Sequence, residues 1–104
     1  MNKQNFAYAQ EKLRTAVRTL IVGSGSLQDR LKSAFDSFHT LTEENFPTEN
    51  IGDYQWVINR LTADRTDQVD HVLESMTEQQ AIDVAHRIVD LAWTIEDALR
   101  DYNQ

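Results

Sequence analysis

Cysteine is absent from this 104-residue chain. Its absence removes disulfides, zinc-thiolate sites and cysteine nucleophiles at once, and suits a reducing compartment. Proline occurs once and glycine three times, far short of what an all-β chain of this length spends on its turns. No run of apolar residues approaches the roughly 20 that a membrane-spanning helix needs. The first residues, "MNKQNFAYAQEKLRTAV", are charged and helical in pattern and have no apolar h-region, so the chain is read as cytoplasmic. Basic residues are also scarce, 10 against 17 acidic ones, and the net charge of −7 makes nucleic acid a poor partner, because phosphate affinity comes from clustered Lys and Arg.

What is present is an ordinary globular composition, 40% apolar and 26% charged, in a length that holds one domain over residues 1–104. The charge is unevenly placed. Residues 1–41 carry six basic and three acidic side chains, whereas residues 42–104 carry four and fourteen. The acidic part is either solvated surface that keeps the protein soluble or a face for a basic partner.

Apolar spacing predicts helices throughout. Over Lys3 to Val22, the residues Phe6, Ala9, Leu13, Ala16, Val17, Leu20 and Ile21 fall within roughly 140° of a helical wheel. "GSGS" at 23–26 ends that helix, with Gly23 available for a left-handed C-terminal position, Ser26 placed to cap the next helix and Asp29 in its first turn. A second helix is predicted from Leu27 to about Leu41, a third from about Glu49 to Thr62, and a short fourth from Asp67 to Met76. The last helix has Thr77 as its cap and Gln80 at the capping-box position. Its apolar residues, Trp93 among them, cover roughly 220° of the wheel, more than a bundle surface requires. Such a helix is either gripped from two sides or gives part of its face to a dimer. The expected fold is therefore all-α, an up-and-down bundle of four main helices plus one short helix.

The stretch "FHTLTEENFP" at 38–47 gathers the proline, two phenylalanines and a histidine. It reads as the clasp between two helices. Phe38 and Leu41 finish an apolar stripe, Thr42 caps a turn through Glu43 and Glu44, Phe46 tucks into the core, and Pro47 bars helix immediately before it. His39 falls just past the edge of the stripe.

Asp83 and His86 at i, i+3, and Asp67 and His71 at i, i+4, have spacings that place two metal ligands on one helix face. Asp83 and His86 lie on the polar side of their helix, however, and a core di-iron site needs paired Glu-x-x-His motifs with two further glutamates. No metal and no cofactor is expected. "GSGS" lacks both the lysine and the preceding strand of a phosphate loop.

Two features suit binding. Trp56 lies opposite the Ile51, Ile58 and Leu61 stripe with Arg60 one turn later, so it is covered locally or offered to a partner, and an Arg at i+4 can stack on it. Asp83, Asp90, Asp97 and Asp101 form an acidic ridge on the last helix, either solvated or a contact for a basic protein.

"RTDQVDH" places Arg65 and His71 five residues apart and resembles the R-x(4 to 6)-H motif of the HEPN ribonucleases, small all-α proteins in which the Arg and His act together on an RNA phosphodiester. The resemblance implies catalysis by Arg65 and His71. Thr66 departs from the polar residue usual after the Arg, and Asp64, Asp67 and Asp70 surround the pair with charge that repels RNA. "LQDRLKSAFDSFHTLTEENFP" resembles an R-L-x-x-A helix followed by an F-P turn found in short uncharacterised bacterial proteins, over about residues 12–62. That likeness implies an all-α bacterial protein and carries no activity.

The leading expectation is a non-enzymatic protein-interaction module, in its specific form an acidic inhibitor or antitoxin-like partner of a basic protein. It forms a homodimer through the last helix and has no membrane contact. The alternative is the HEPN-like ribonuclease.

Overall fold

The computed structural model describes residues 3–63 and 69–102. Five α-helices follow one another: α1 (Lys3–Val22), α2 (Leu27–Phe38), α3 (Ile51–Thr62), α4 (Val69–Ser75) and α5 (Glu78–Tyr102). Two single 3-10 turns, Glu43–Asn45 and Thr48–Asn50, lie between α2 and α3. The molecule is an all-α bundle.

Hydrogen bonds between helix ends fix the directions. At one end of the α1/α2 pair, the Arg30 guanidinium donates to the Leu20 carbonyl at 2.7 Å. At the other, Tyr8 meets Thr40 at 3.3 Å and the Asn45 side chain donates to the Asn5 carbonyl. The pair is therefore antiparallel. Asp53 on α3 pairs with Arg87 on α5, and Arg60, further along α3, lies beside Gln80 and Asp83, earlier on α5. These two helices also run antiparallel, and the four main helices alternate up and down, with α5 packed on α1, α2 and α3.

The apolar stripes supply the core. Phe6, Leu13 and Leu20 enter it from α1, Leu31, Phe35 and Phe38 from α2, Val57 and Leu61 from α3, Leu73 from α4, and Ile88 and Ile95 from α5. Each such side chain contributes about 1.5–3 kcal/mol by leaving water. Ile21, placed in the α1 stripe by its wheel position, is instead 72% exposed. It stands at the stripe's outer edge and faces the open furrow between α1 and α5.

The caps explain the boundaries. Ser26 and Asp29 form a reciprocal capping box at α2, and Thr77 and Gln80 form one at α5. The left-handed residue in "GSGS" is Gly25 (φ 91°), not Gly23. The Gly23 N–H still closes α1 on Thr19, and the reversal follows two residues later. Helix α2 ends at Phe38 and not at Leu41, because the Leu41 N–H bonds to Phe38 and tightens the chain into a turn. Pro47 holds extended backbone and Thr48–Asn50 forms a 3-10 turn, so α3 starts at Ile51 and not at Glu49. The clasp itself is as expected in its apolar residues, with Leu41, Phe46 and Pro47 buried. Phe46 stacks on Tyr54 at 4.5 Å, and the Tyr54 hydroxyl donates to the Leu41 carbonyl. Thr42 is held by Asn45, whose side-chain oxygen accepts the Thr42 N–H at 2.8 Å, a partner the reading through Glu43 and Glu44 missed.

Candidate protein-interaction site

Antiparallel packing of α1 against α5 leaves a furrow on their outer side. Val17, Ile21 and Val22 line it from α1, and Ala92 and Trp93 from α5. Its volume is about 410 Å³. In a core-forming stripe these side chains would be covered, yet Ile21 is 72%, Val22 68% and Trp93 64% exposed. Among the described residues they are the large apolar side chains most open to water; Tyr8, less exposed, lies elsewhere on α1 and meets Thr40.

One end of the furrow is closed by an ion pair. Arg14 donates to Glu96 through both Nε (2.5 Å) and Nη2 (2.9 Å), and Gln10 donates to the same carboxylate at 2.8 Å. The hydrogen bond from Arg14 holds the Glu96 carboxyl below the usual carboxylate range, and the same contact raises the Arg14 guanidinium. The two long walls differ in sign. The charged lining is Arg14 and Arg18 from α1 and Glu96 from α5, and exposed Asp90 and Asp97 stand just outside it, one turn before and one turn after Trp93.

The four ridge residues Asp83, Asp90, Asp97 and Asp101 are all exposed. Asp97 is paired with Arg100, and Asp83 accepts from Gln79. The ridge thus runs alongside Trp93 and forms the outer edge of the same surface.

Trp56 lies elsewhere, on the α3/α5 side, and is half-buried against the core. The Arg60 and Arg87 guanidinium groups sit over its ring at 4.8 and 4.5 Å. Arg60 therefore makes the stacking contact that its i+4 spacing allows, and the polar side of α5 supplies a second cation.

Among the catalytic candidates, His71 is exposed on α4 and its hypothetical partner Arg65 lies outside the described residues, as do Asp64, Thr66 and Asp67. Asp83 and His86 are both exposed on α5. Among the described residues no group of three His, Asp or Glu side chains is arranged to hold a metal ion, and no helix is long and apolar enough to cross a membrane.

The sequence pattern places the binding residues at Trp56, Arg60 and the ridge of Asp83, Asp90, Asp97 and Asp101, sets Ile21 in the core stripe of α1, and leaves the wide α5 arc that includes Trp93 either gripped from two sides or shared with a dimer. The signal for the furrow was present in the 220° apolar arc of α5. Trp93 stands at one edge of that arc and Ile21 at the edge of the α1 stripe, and edge positions on two adjoining helices meet at the surface. In comparisons with protein-family models, curated proteins and solved structures, none matches the chain.

Proposed function

We propose that this chain is a non-catalytic protein-interaction module whose contact surface is the Trp93 furrow and the acidic ridge beside it. The observation that carries the reading is the exposure of Ile21, Val22 and Trp93 together in one concave site. A cluster of large apolar side chains rimmed by charge is the usual composition of a protein contact, with an aromatic anchor at its centre. The partner is a protein with an apolar contact bordered by basic side chains, because Asp90 and Asp97 flank Trp93 on α5. An acidic inhibitor of a basic protein is the specific form of this reading, and a cysteine-free chain is suited to the reducing cytoplasm, the setting we assign to it.

The test is retention of basic proteins from cells that make this chain, using the wild-type protein and a Trp93→Asp variant as baits. Proteins held by wild type, lost with the variant and released by moderate salt support the reading. Identical sets on both baits would overturn it.

A further inference from the structure

We infer that the occupant of the furrow is a second copy of this chain, seated by a twofold axis that runs parallel to α1 and α5. The inference rests on the reading of the Trp93 furrow as a contact surface. It names as partner a surface that already has the required chemistry, an apolar strip bordered by basic residues. That surface is the α1 wall of the same furrow, with Ile21 and Val22 next to Arg14 and Arg18.

The geometry follows from two facts. First, the two sides of the furrow differ in charge: exposed Arg18 lines it from α1, and exposed Asp90 stands just outside it on α5, one turn before Trp93, while Arg14 and Asp97 are paired within their own chain with Glu96 and Arg100. A twofold axis along the helices exchanges left and right, so it lays the α1 wall of each copy over the α5 wall of the other. An isologous contact of this kind uses one patch twice.

Second, the Arg14–Glu96 pair fixes the relative heights of α1 and α5 within a copy. An axis parallel to the helices leaves height unchanged. Because the helices are antiparallel, each step up α1 corresponds to a step back along α5. Arg14 at the level of Glu96 puts Arg18 at the level of Ala92. With a rise of about 1.5 Å per residue, Arg14 of one copy then stands about 1.5 Å along the axis from Asp97 of the other, and Arg18 about 3 Å from Asp90. Arg18 of each copy thereby meets Asp90 of the other beside the enclosed tryptophans, while Arg14 keeps Glu96 and Asp97 keeps Arg100 within each copy. A twofold axis perpendicular to the helices would stack α1 on α1 and α5 on α5, setting like charges against each other, and is disfavoured.

The result is a four-helix contact of two α1 and two α5 helices. The Asp83 end of each ridge lies more than a helical turn beyond the Trp93 cluster and stays open to a further, basic protein.

The experiment is sedimentation equilibrium of the purified chain over a wide concentration range, with near-ultraviolet and far-ultraviolet circular dichroism of each variant to establish that it is folded. Wild type is expected to pass from monomer to dimer. Trp93→Asp should remain monomeric throughout, and Arg18→Glu should weaken dimerisation at least ten-fold. The double variant Arg18→Glu, Asp90→Arg restores opposite charges across the contact and should recover most of that loss. A role of Arg18 confined to its own chain predicts no such recovery. Wild type that stays monomeric at millimolar concentration would overturn the inference, as would a dimer indifferent to Trp93→Asp or a double variant no better than Arg18→Glu. If the monomeric wild type still retains basic proteins in a Trp93-dependent manner, only the second-copy inference fails. If it retains none, the interaction reading fails with it.

Discussion

Trp56 and Trp93 are the chain's two tryptophans, and their helical-wheel positions alone do not give their environments. Trp56 projects away from the apolar stripe of α3, whereas Trp93 lies within the apolar arc of α5. In the folded protein Trp56 is half-buried between two guanidinium groups and Trp93 is 64% exposed. A wheel describes one helix, but burial is decided by the neighbour. The polar side of α3 faces the flank of α5, where Arg87 reaches across, so an indole there gains cover without entering the core. The edge of α5 at Trp93 points to the outer side of the α1/α5 seam, so an indole there has only a furrow beside it.

Four substitutions, measured by urea denaturation, would break or sharpen that contrast. The largest effect is expected at the sheltered site, where Trp56→Ala should cost about 2 kcal/mol, roughly half of a fully buried Trp truncation. A loss below about 0.5 kcal/mol would mean that Trp56 is no better covered than Trp93. Next is Tyr54→Phe in the clasp, which leaves the Leu41 carbonyl without its donor and should cost about 1 kcal/mol. Burial pushes the Tyr54 phenol up to about 12. A group whose folded value is raised stabilises the fold fully below its unfolded value, near 10, and loses that contribution as pH climbs through the folded one. Wild type should therefore weaken between about pH 10 and 12, and Tyr54→Phe should lose this part of the decline.

Smaller still is Glu96→Gln at the rim of the furrow, expected to cost less than about 1 kcal/mol because Arg14 is largely exposed. Here the folded carboxyl is depressed, so its contribution is present above the ordinary carboxylate range and lost as pH falls through the folded value. The Gln variant should show a shallower loss of stability in acid than wild type. The smallest effect belongs to Trp93→Asp, within about 0.5 kcal/mol for the monomer. A large destabilisation there would place Trp93 in the core and remove the contrast altogether.

The fold class was legible because helical stripes, caps and an almost proline-free chain all point the same way. The capping boxes at Ser26 and Thr77 and the burial of Phe46 were readable from local spacing alone. The end of α3 at Thr62 was readable as well, but the way it closes was not. Ala63 adopts a left-handed conformation (φ 48°, ψ 43°) to close α3, a role that usually falls to glycine, and nothing in the residue type announces it. The proposed contact surface was half legible. The excess width of the α5 stripe signalled a second contact, and the acidic ridge was visible as a periodicity. Trp93 as the centre was not, because its exposure depends on which edge of the α5 arc is left outside the packing against α1, a long-range quantity.

Helix α5 has 25 residues and extends about 37 Å, against a longest molecular dimension of 43 Å. It is also the last element in chain order and the one on which α1, α2 and α3 all pack. During synthesis, then, the apolar stripes of the earlier helices are made before the surface that covers them. At roughly 5–20 residues per second, α5 takes on the order of one to five seconds to be added. For that interval the four earlier helices lack the surface that covers their apolar stripes. Shortening the delay, by moving α5 ahead of α1 in a circular permutant, should reduce aggregation of the nascent chain while leaving the final structure unchanged.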